Sequence, residues 1–522
     1  MPVNVRACLS QTELLLVKGG DARIALDPES LNKYGCSPFP DPGLLALGSV
    51  TASGISAASF AAADRLRSRL VQAADAAPAA VIYAHELQRI RQEFVHLCGA
   101  SDLPGLDVVF AASGTDLHLI AAQLGSAGMP MIAIMVDASE TGSGVPTALA
   151  GRHFSSRAAL GDAVVKDEPI FGMGSARNVE IEVAAVAIRL ADGTPRPTAE
   201  IDAEFETLVT QAARMGQRIL LVLTDVSKTG MIAPSPTCVL ALRQKLPHAV
   251  EVLVDACQFR IAPSTLRAYL ELGFMVALTG SKFVTGPPFS GALLIPAAVA
   301  NRLRGRPLPG ALSAYSTQAD WPENWDTSGL PGNVANFGLL LRWEAAIEEL
   351  RAFRSVPEAE VANFLQEFAL AIRKRLADDP VFEPLPVPAL DRFPLIGATG
   401  WDHIQTIFPF LLFHPPTEAG KLPLSREETT QIYRLLPIDL GDRYDSSRIA
   451  ALRCQLGQPV ACGKRGGMPV SALRLCASAR LVVEATAQGG RDAHAVIERA
   501  LAALDKTALL VSNQHKPLTT EA

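Results

Sequence analysis

Short uncharged runs of apolar residues alternate with longer amphipathic stretches through the first two thirds of the chain. A short apolar run bounded by turn residues is typical of a buried strand, whereas apolar positions three and four apart are typical of a helix. Alternating strands and helices of this kind predict an α/β domain. The strand pattern is clearest in DVVFAA, PMIAIMVDA, VEIEVAAVAI, RILLVLTD, FMVALTG and GALLIP.

The same pattern divides the chain into parts. In the first part, TELLLVKGGDARIAL has two apolar runs joined by a Lys-Gly-Gly-Asp turn and predicts a hairpin. Helical spacing predicts helices at about 85–98, 357–377 and 425–436. We expect an N-terminal arm that contributes to the smaller domain, a large domain, a small C-terminal domain and a loose tail, over residues 1–45, 46–340, 341–505 and 506–522.

Val254 to Leu293 is the stretch with the clearest chemistry. Asp255 and Gln258 stand at the end of one predicted strand, and Lys282 stands between the next strand and a Gly-Pro-Pro turn. That position is unusual, because lysine normally points at water. An amine in a partly desolvated site can lose its proton and attack a carbonyl, and a carboxylate nearby could hold a cationic ring nitrogen. Pyridoxal phosphate needs both groups, so Lys282 and Asp255 together predict this cofactor.

Two motifs in this stretch resemble those of a known family. The segments 255–258 (DACQ) and 279–282 (TGSK), followed by Gly286, are similar to the D-x-x-Q and S-x-H-K-x-x-G-P motifs of fold-type-I pyridoxal-phosphate enzymes of the class V aminotransferase and cysteine desulfurase group. Ser281 replaces the histidine that the family has before its lysine. The resemblance implies a mainly parallel sheet of the seven-stranded type, flanked by helices, with a smaller α+β C-terminal domain. It also implies a homodimer with shared active sites.

The resemblance gives the residues of this stretch their expected roles. Lys282 would form the Schiff base and then act as general base and acid. Asp255 would contact the ring nitrogen, and Gln258 would hydrogen-bond the ring oxygen. Thr141 stands where the family has a histidine stacked on the ring, so we expect Thr141 at the cofactor. His153, or the Gly-rich loop behind Thr141, are the alternatives for covering the ring.

A turn upstream predicts the site of the cofactor phosphate. Ser113, Gly114 and Thr115 open a predicted helix, and their N–H groups and hydroxyls form a ready anion site. The turn resembles the phosphate cup of the same family. Thr279 would add a further hydroxyl to it.

Two more segments resemble the family but depart from its pattern. Residues 225–230 are similar to its V-S-N-x-T-G motif without the asparagine, so Ser227 and Lys228 are the nearest replacements at the cofactor and the substrate. Lys228 is also the alternative to Lys282 as the Schiff-base lysine. Thr327 and Ser328 lie in a loop similar to the family's A-G-T-P-N, which implies that one of them contacts the phosphate in the partner subunit.

Candidate substrate contacts lie near both ends of the chain. Arg474 stands in VSALRLCASARLV, which reads as a strand and resembles the family's A-L-R-x-S. A guanidinium facing a cleft can bind a carboxylate through two parallel hydrogen bonds, so Arg474 would hold the substrate α-carboxylate. Asn32 and Tyr34 are further candidates, because the family's N-terminal arm crosses toward the active site.

Composition restricts the partners more than the reaction. The chain has 522 residues and a net charge of −6, without a basic block, which argues against nucleic acid or a membrane surface as its partner. The eight cysteines show no metal-binding spacing, so no metal is expected. Reduced thiols and the absence of a signal-peptide pattern predict a cytoplasmic protein.

The cysteines also bear on the choice of reaction. A cysteine desulfurase needs a mobile thiolate, yet alignment on Gln458-Pro459 puts Leu456 at the nucleophile position of the family. Cys454 and Cys462 are close but out of register. The sequence therefore favours an enzyme that acts on an amino acid in an aminotransferase-like reaction. A lyase of the desulfurase or elimination type and a non-catalytic scaffold are the alternatives.

Overall fold

The computed structural model describes residues 9–126, 129–171, 181–397, 400–415, 420–444, 447–490 and 492–513 of the chain. Its helices are α1 (Thr12–Leu16), α2 (Ala57–Ala73), α3 (Ala79–Leu97), α4 (Gly114–Ser126), α5 (Val145–Leu149), α6 (Thr198–Arg214), α7 (Pro236–Lys245), α8 (Pro263–Glu271), α9 (Ala297–Leu303), α10 (Phe337–Arg354), α11 (Glu358–Asp378), α12 (Arg426–Leu435), α13 (Arg448–Ala451), α14 (Ala479–Gly490) and α15 (Ala493–Ser512). Within these ranges, no helix has the length and apolar character needed to cross a bilayer.

The strands are β1 (Leu45–Ala46), β2 (Asp107–Ala111), β3 (Met131–Val136), β4 (Ile181–Val186), β5 (Arg218–Asp225), β6 (Ile232–Ala233), β7 (Val250–Asp255), β8 (Met275–Thr279), β9 (Gly291–Ile295), β10 (Phe382–Pro384), β11 (Ile407–Leu412), β12 (Cys454–Gln455), β13 (Gly457–Arg465) and β14 (Met468–Cys476). Eight strands of the described chain form one large sheet, in the order β2-β9-β8-β7-β5-β3-β4, with β6 paired to β5.

The large sheet is mainly parallel and is covered on both faces. Strands β8, β7, β5, β3 and β4 pair in parallel, and β9 runs antiparallel between β2 and β8. β2, β3, β8 and β9 are buried along their whole length, which explains their nearly uncharged sequences. Helices α2, α3, α6, α7, α8 and α10 pack on one face, and α4, α5 and α9 pack on the other. The predicted fold class is confirmed.

A second sheet builds the C-terminal part of the molecule. It is antiparallel, in the order β10-β11-β14-β13, and it shares a core with α11, α12, α14 and α15. The N-terminal arm attaches here, because β1 pairs in parallel with β12 and Asp41 forms an ion pair of 2.5 Å with Arg453. The start of the arm, α1, packs on α2 and α10 of the large domain instead.

The arm does not form the predicted hairpin. Residues Thr12–Leu16 are helical, and Ala22–Ile24 form a 3-10 turn. Carbonyl groups at the end of this helix and in the turn after it accept hydrogen bonds from an arginine side chain, not from a second strand. The buried guanidinium of Arg342 in α10 donates to the carbonyl oxygens of Leu16, at 3.1 Å, and of Gly19, at 2.6 Å. Arg342 is far from this segment in the sequence. Because it satisfies these carbonyl oxygens, they do not need a neighbouring strand.

One prediction for the C-terminal domain was also wrong, and another was confirmed except for the residue at which the strand ends. The expected tail begins inside α15, which continues to Ser512 because Leu510 and Val511 are buried in the core of the small domain. Residues 514–522 lie outside the described residues. The predicted strand around Arg474 ends at Cys476, and helix α14 follows because the Ser478 hydroxyl accepts a hydrogen bond from the Leu481 N–H at 3.4 Å.

Candidate active site

One cavity of about 250 Å³ opens where the carboxyl ends of β2, β5, β7 and β8 meet. In open α/β sheets, ligands bind at this edge. The N-terminal arm and the C-terminal domain complete its wall. Most residues singled out from the sequence line the cavity, namely Ser113, Gly114, Thr115, Thr141, Lys228, Asp255, Gln258, Thr279, Lys282 and Arg474.

Lys282 and Asp255 reach the cavity from neighbouring parallel strands. Asp255 is the last residue of β7, and Lys282 follows shortly after the end of β8. Behind the lysine the chain turns sharply, with the Gly286 N–H donating to the Gly280 carbonyl at 2.8 Å. Packing requires both glycines, because a Cβ on either would lie 2.6 Å from the Cβ of Ala346 in α10. The turn fixes the half-buried Lys282 at the edge of the sheet.

A histidine that the sequence analysis did not single out supports Asp255. His118 of α4 is buried; its Nε2 lies 3.4 Å from a carboxylate oxygen of Asp255, and its Nδ1 lies 2.7 Å from the Gly114 carbonyl oxygen. Burial by itself lowers the pKa of His118, but Asp255 outweighs burial and the net pKa is raised. Burial raises the pKa of Asp255, but His118 and Lys282 outweigh it and hold this pKa well below its usual range. Asp255 is therefore an anion at neutral pH.

Several buried polar atoms around the cavity lack a hydrogen-bond partner in the described chain. They are Oε1 of Gln258, Oγ1 of Thr141, Oγ1 of Thr224, Nε of Arg474 and Nε2 of His118, whose contact with Asp255 is an ion pair. The Gln258 amide is held from its other end, where Nε2 donates to the Val50 carbonyl oxygen at 3.2 Å. Buried polar groups nearly always have partners, so atoms of this kind around one cavity indicate a polar ligand. An amide, a guanidinium, an amine and a carboxylate together fit pyridoxal phosphate and an amino acid.

The predicted phosphate cup contains an arginine from the N-terminal arm. Ser113, Gly114 and Thr115 form the turn from β2 into α4. Arg23 donates to the Ser113 Oγ at 3.2 Å and to the Thr115 Oγ1 at 3.4 Å, while Asp21 holds its guanidinium in an ion pair of 2.5 Å. A fixed guanidinium beside the N–H groups of a helix N-terminus suits a phosphate. Arg23 lies in a segment without a phosphate-binding motif, so no local sequence signal could have found it.

Two further groups at the cup change its expected chemistry. Asp116 is buried beneath it and accepts a hydrogen bond from the Ser113 hydroxyl. Burial, with a smaller contribution from Asp21, raises the pKa of Asp116 to about 7. Below that pH the carboxyl is largely protonated and does not repel an anion. The Thr279 hydroxyl donates to the Cys257 carbonyl oxygen at 2.6 Å. Its proton is therefore not available to a phosphate oxygen.

The loop after β5 uses Ser227 for structure and presents Lys228 to the cavity. The Ser227 hydroxyl donates to a carboxylate oxygen of Glu140 at 2.8 Å, and Thr229 donates to the same carboxylate at 2.7 Å. Arg189 completes this buried cluster with an ion pair of 2.9 Å. Ser227 is therefore outside the cavity wall, contrary to its predicted cofactor contact. No local sequence signal indicates that the Ser227 hydroxyl donates to Glu140, which is distant in the chain.

Arg474 lies in the wall formed by the C-terminal domain. Its guanidinium donates to the Lys228 carbonyl oxygen at 3.4 Å, to the Thr51 Oγ1 at 3.3 Å and to the Gln458 carbonyl oxygen. Burial lowers the pKa of Arg474 to about 10, so it stays a cation at neutral pH. Thr51 and Gln458 also line the cavity, although neither was predicted. They hold the guanidinium in place.

Of the two candidates in the arm, only Tyr34 reaches the cavity. Asn32 is used within the arm, where its Oδ1 accepts hydrogen bonds from the N–H groups of Tyr34, at 2.9 Å, and Cys36, at 3.2 Å. The predicted substrate contact of Asn32 is therefore wrong for this structure. The Tyr34 hydroxyl accepts a hydrogen bond from Arg23 at 3.3 Å and lines the cavity.

Three other candidates lie away from the cavity of their own chain. Thr327 is half-buried and Ser328 is exposed, and the Ser328 hydroxyl donates to Asp326 at 2.7 Å. Their expected contact is with a partner subunit and stays a prediction. His153 lies 2.6 Å from the Tyr315 hydroxyl and does not line the cavity, so it does not replace the ring-stacking histidine.

The two cysteines near the small-domain wall are not exposed nucleophiles. Cys454 and Cys462 are both buried and neither lines the cavity. Burial raises the pKa of Cys454 to about 12 and also raises the pKa of Cys462. A thiol with a raised pKa is mostly protonated at neutral pH and is a poor nucleophile. In the described residues, no group of three or more His, Cys, Asp or Glu side chains could hold a metal ion.

Comparisons with known proteins find relatives by structure alone. No family model and no curated protein sequence matches the chain. Mouse CSAD in its apo form has 14% sequence identity, covers 91% of this chain and 85% of its own, and gives a TM-score of 0.50. The Escherichia coli cysteine desulfurase CsdA has 14% identity, coverages of 89% and 94% and a TM-score of 0.49. The Leishmania major threonine aldolase has 12% identity, coverages of 90% and 100% and a TM-score of 0.45.

The match to mouse CSAD supports the class of fold. The chain has the fold of the fold-type-I pyridoxal-phosphate enzymes, as the motifs around Asp255 and Lys282 implied. At sequence identities this low, the likeness does not extend to the reaction.

Proposed function

We propose that the chain is a pyridoxal-phosphate-dependent enzyme that acts on an amino acid, with Lys282 as the residue that binds the cofactor aldehyde. One observation carries the proposal. Asp255 and Gln258 lie at the end of β7 and Lys282 lies after β8, and the three meet at a single cavity that also contains an anion cup and the buried Arg474. A structural role explains a buried acid or a buried arginine, but it does not explain this set around an open space.

Each residue of the site has a distinct task. When bound, pyridoxal phosphate supplies an electron sink for negative charge that develops at the substrate Cα. Asp255, an anion held by His118, keeps the proton on the ring nitrogen. The Lys282 amine would take the proton from the substrate Cα and, in an aminotransferase-like reaction, would deliver it to C4′ of the cofactor. Arg474 binds the substrate α-carboxylate through its free Nε edge, so that Cα lies within reach of the amine.

The reaction that we favour is aminotransferase-like, because the site has the parts needed to move a proton. The thiol among the described residues of the cavity wall, Cys257, has a pKa that burial raises well above its usual value, so it is a poor nucleophile. A lyase reaction would use the same residues and is the alternative. Its desulfurase form has the least support, since Cys454 and Cys462 are buried and have raised pKa values. A non-catalytic scaffold would retain the fold but would have no use for Lys282 in the cavity.

The absorption spectrum of the purified protein tests the proposal. We expect a band near the visible edge that borohydride abolishes, and we expect its loss in Lys282→Ala. The matched control is Lys228→Ala, which removes the other lysine of the same cavity and should keep the band. A colourless protein that takes up no added pyridoxal phosphate would refute the proposal, and loss of the band in Lys228→Ala alone would move the role to Lys228.

We also propose that the enzyme is a cytoplasmic homodimer in which Thr327 or Ser328 reaches the partner's cofactor phosphate. Sedimentation should give a dimer. The variants Thr327→Ala and Ser328→Ala should leave the dimer intact, and one of them should weaken the binding of pyridoxal phosphate. If neither variant weakens it, the loop has no role at the phosphate.

A further inference from the structure

The charged side chains around the cavity do not balance one another. Both carboxylates in its wall are already paired, Glu140 with Arg189 at 2.9 Å and Asp255 with His118 at 3.4 Å. Arg23 is paired with Asp21. The cations of the wall left without a carboxylate in the described chain are Lys33, Lys228, Lys282 and Arg474.

Only one of these four cations is neither exposed nor given a partner by the proposed function. Lys33 is exposed at the mouth, where water solvates it. Lys282 has the cofactor aldehyde as its proposed partner, and Arg474 has the substrate α-carboxylate. Lys228 is half-buried, and no role in the proposed function requires its charge.

The contacts of Lys228 leave its amine available. The amine donates to the Ala138 carbonyl oxygen at 3.3 Å, and an ammonium group has three donors. Within the described residues, no ion pair joins it to an acid. The nearest buried acid, Glu140, is occupied by Arg189 and Thr229. A desolvated ammonium without a counter-ion is costly, so the site gains stability when an anion enters.

Lys228 lies beside the proposed α-carboxylate site. The Arg474 guanidinium donates to the Lys228 backbone carbonyl at 3.4 Å, and the positive charge of Arg474 is among the causes that disfavour a charged Lys228 amine. Two cations in one part of the cavity fit two anionic groups on one molecule. A substrate with a single carboxylate would neutralise only one of them.

We propose that Lys228 binds an acidic group on the substrate side chain, so that the substrate is an amino acid with a second acid. This inference rests on the proposed function and adds a substrate class to it. Arg474 binds the α-carboxylate, Lys228 binds the distal acid, and Lys282 is left for the reaction at Cα.

Titration of Lys228 gives the inference a pH signature. Burial, together with the nearby charges of Arg474 and Lys282, lowers the pKa of Lys228 to about 8, and Glu140 and Asp137 oppose this shift in part. The amine binds an acid only while it is protonated. The preference for an acidic over a neutral amino acid should therefore weaken as the pH rises through about 8, whereas Lys228→Gln should show no such change.

Matched amino acids test the inference directly. In spectral titrations, aspartate or glutamate should bind the wild-type protein more tightly than its amide, asparagine or glutamine, by roughly 10- to 100-fold. Lys228→Gln should reduce this ratio to near one, and Lys228→Arg should keep most of it. Lys166→Gln, a change at an exposed lysine far from the cavity wall, is the control and should leave the ratio unchanged.

A second measurement needs no reaction. Succinate should raise the melting temperature of the purified protein more than butyrate does, and Lys228→Gln should remove the difference. A wild-type protein that binds the amides as tightly as the acids would overturn the inference, as would a ratio that Lys228→Gln leaves unchanged. In either case a borohydride-sensitive band would leave the proposed function standing, whereas a protein without the band would overturn both.

Discussion

Two neighbouring strands of the large sheet end in a buried aspartate, and only one of the two faces the cavity. Asp225 ends β5 and Asp255 ends β7, with Thr224 directly opposite Asp255 in the parallel pair. Their exposed fractions are 0% and 7%. Their local sequences, VLTD and VLVD, are almost the same. The difference between a structural acid and a proposed catalytic one therefore lies in what surrounds each strand end.

Asp225 is fully enclosed by fixed partners. Arg392 donates to both of its carboxylate oxygens at 2.7 Å, and the Tyr269 hydroxyl donates at 2.8 Å. Asp255 has a backbone N–H at 3.2 Å and His118 at 3.4 Å, and it faces the cavity that contains Lys282. Arginine holds a permanent charge, whereas histidine can lose its proton. The comparison teaches that an acid available to a ligand is one whose protein partners leave room for it.

The largest effect is expected from breaking the enclosed pair. Arg392→Leu leaves Asp225 buried without its counter-charge, which should cost about 3–5 kcal/mol of stability. The midpoint of urea denaturation measures the loss. The double variant Asp225→Asn with Arg392→Leu is the control and should recover much of it. If Arg392→Leu instead removed the cofactor band at unchanged stability, Asp225 would belong to the active site.

The converse effect is expected at Asp255. Asp255→Asn removes the charge that holds the proton on the ring nitrogen, and it should slow the spectral change caused by an amino acid on the order of 10²–10³-fold. Its denaturation midpoint should move far less than that of Arg392→Leu, because an amide suits the same neighbours. An equal loss of stability in both variants would contradict the distinction between the two aspartates.

The sequence could predict the site residues that lie together in one stretch, but not those that reach the site from distant segments. Asp255 and Lys282 lie in one stretch, where an apolar strand, a turn and a Gly-Pro pair restrict the fold locally. Arg23 and His118 act through contacts with segments far away in the chain, and nothing in their own neighbourhoods indicates those contacts. Ser227 had the right local pattern, but a distant glutamate takes its hydroxyl.

A third pair of an acid and a base, Asp21 with Arg23, lies between these two cases and sharpens the comparison. Arg23 is held by Asp21 at 2.5 Å but also donates to the hydroxyls of Ser113 and Thr115. Arg23→Gln should weaken the binding of pyridoxal phosphate about 10-fold, because a charged contact to the phosphate is lost. The binding of pyridoxal, which has no phosphate, should not change, and absorbance titration measures both.

The neighbouring Arg157 provides the control for Arg23. It donates to the Asp21 carbonyl oxygen at 3.0 Å and does not line the cavity. Arg157→Gln should therefore leave the affinity for pyridoxal phosphate unchanged. If Arg23→Gln weakened the binding of pyridoxal and of pyridoxal phosphate equally, Arg23 would only shape the cup and would not contact the phosphate.

The smallest effect concerns how the stability of the protein depends on pH through two pairs, Asp255 with His118 and Asp225 with Arg392. The pKa of His118 is raised in the folded protein, so the stability that His118 contributes is fully present below its unfolded pKa of about 6.5. That contribution is lost as the pH rises through the folded pKa. The arginine that pairs with Asp225 does not titrate over this range.

His118→Gln should remove this slope, because glutamine keeps a hydrogen-bond donor but does not titrate. Below the unfolded pKa the variant should be less stable than the wild type by about 1 kcal/mol, since 3.4 Å is long for a hydrogen bond. The difference should shrink as the pH rises. Urea denaturation of the cofactor-free protein at several pH values measures it. A difference that stayed constant with pH would mean that His118 is neutral, and Asp255 would then be an acid supported only by the amine of Lys282.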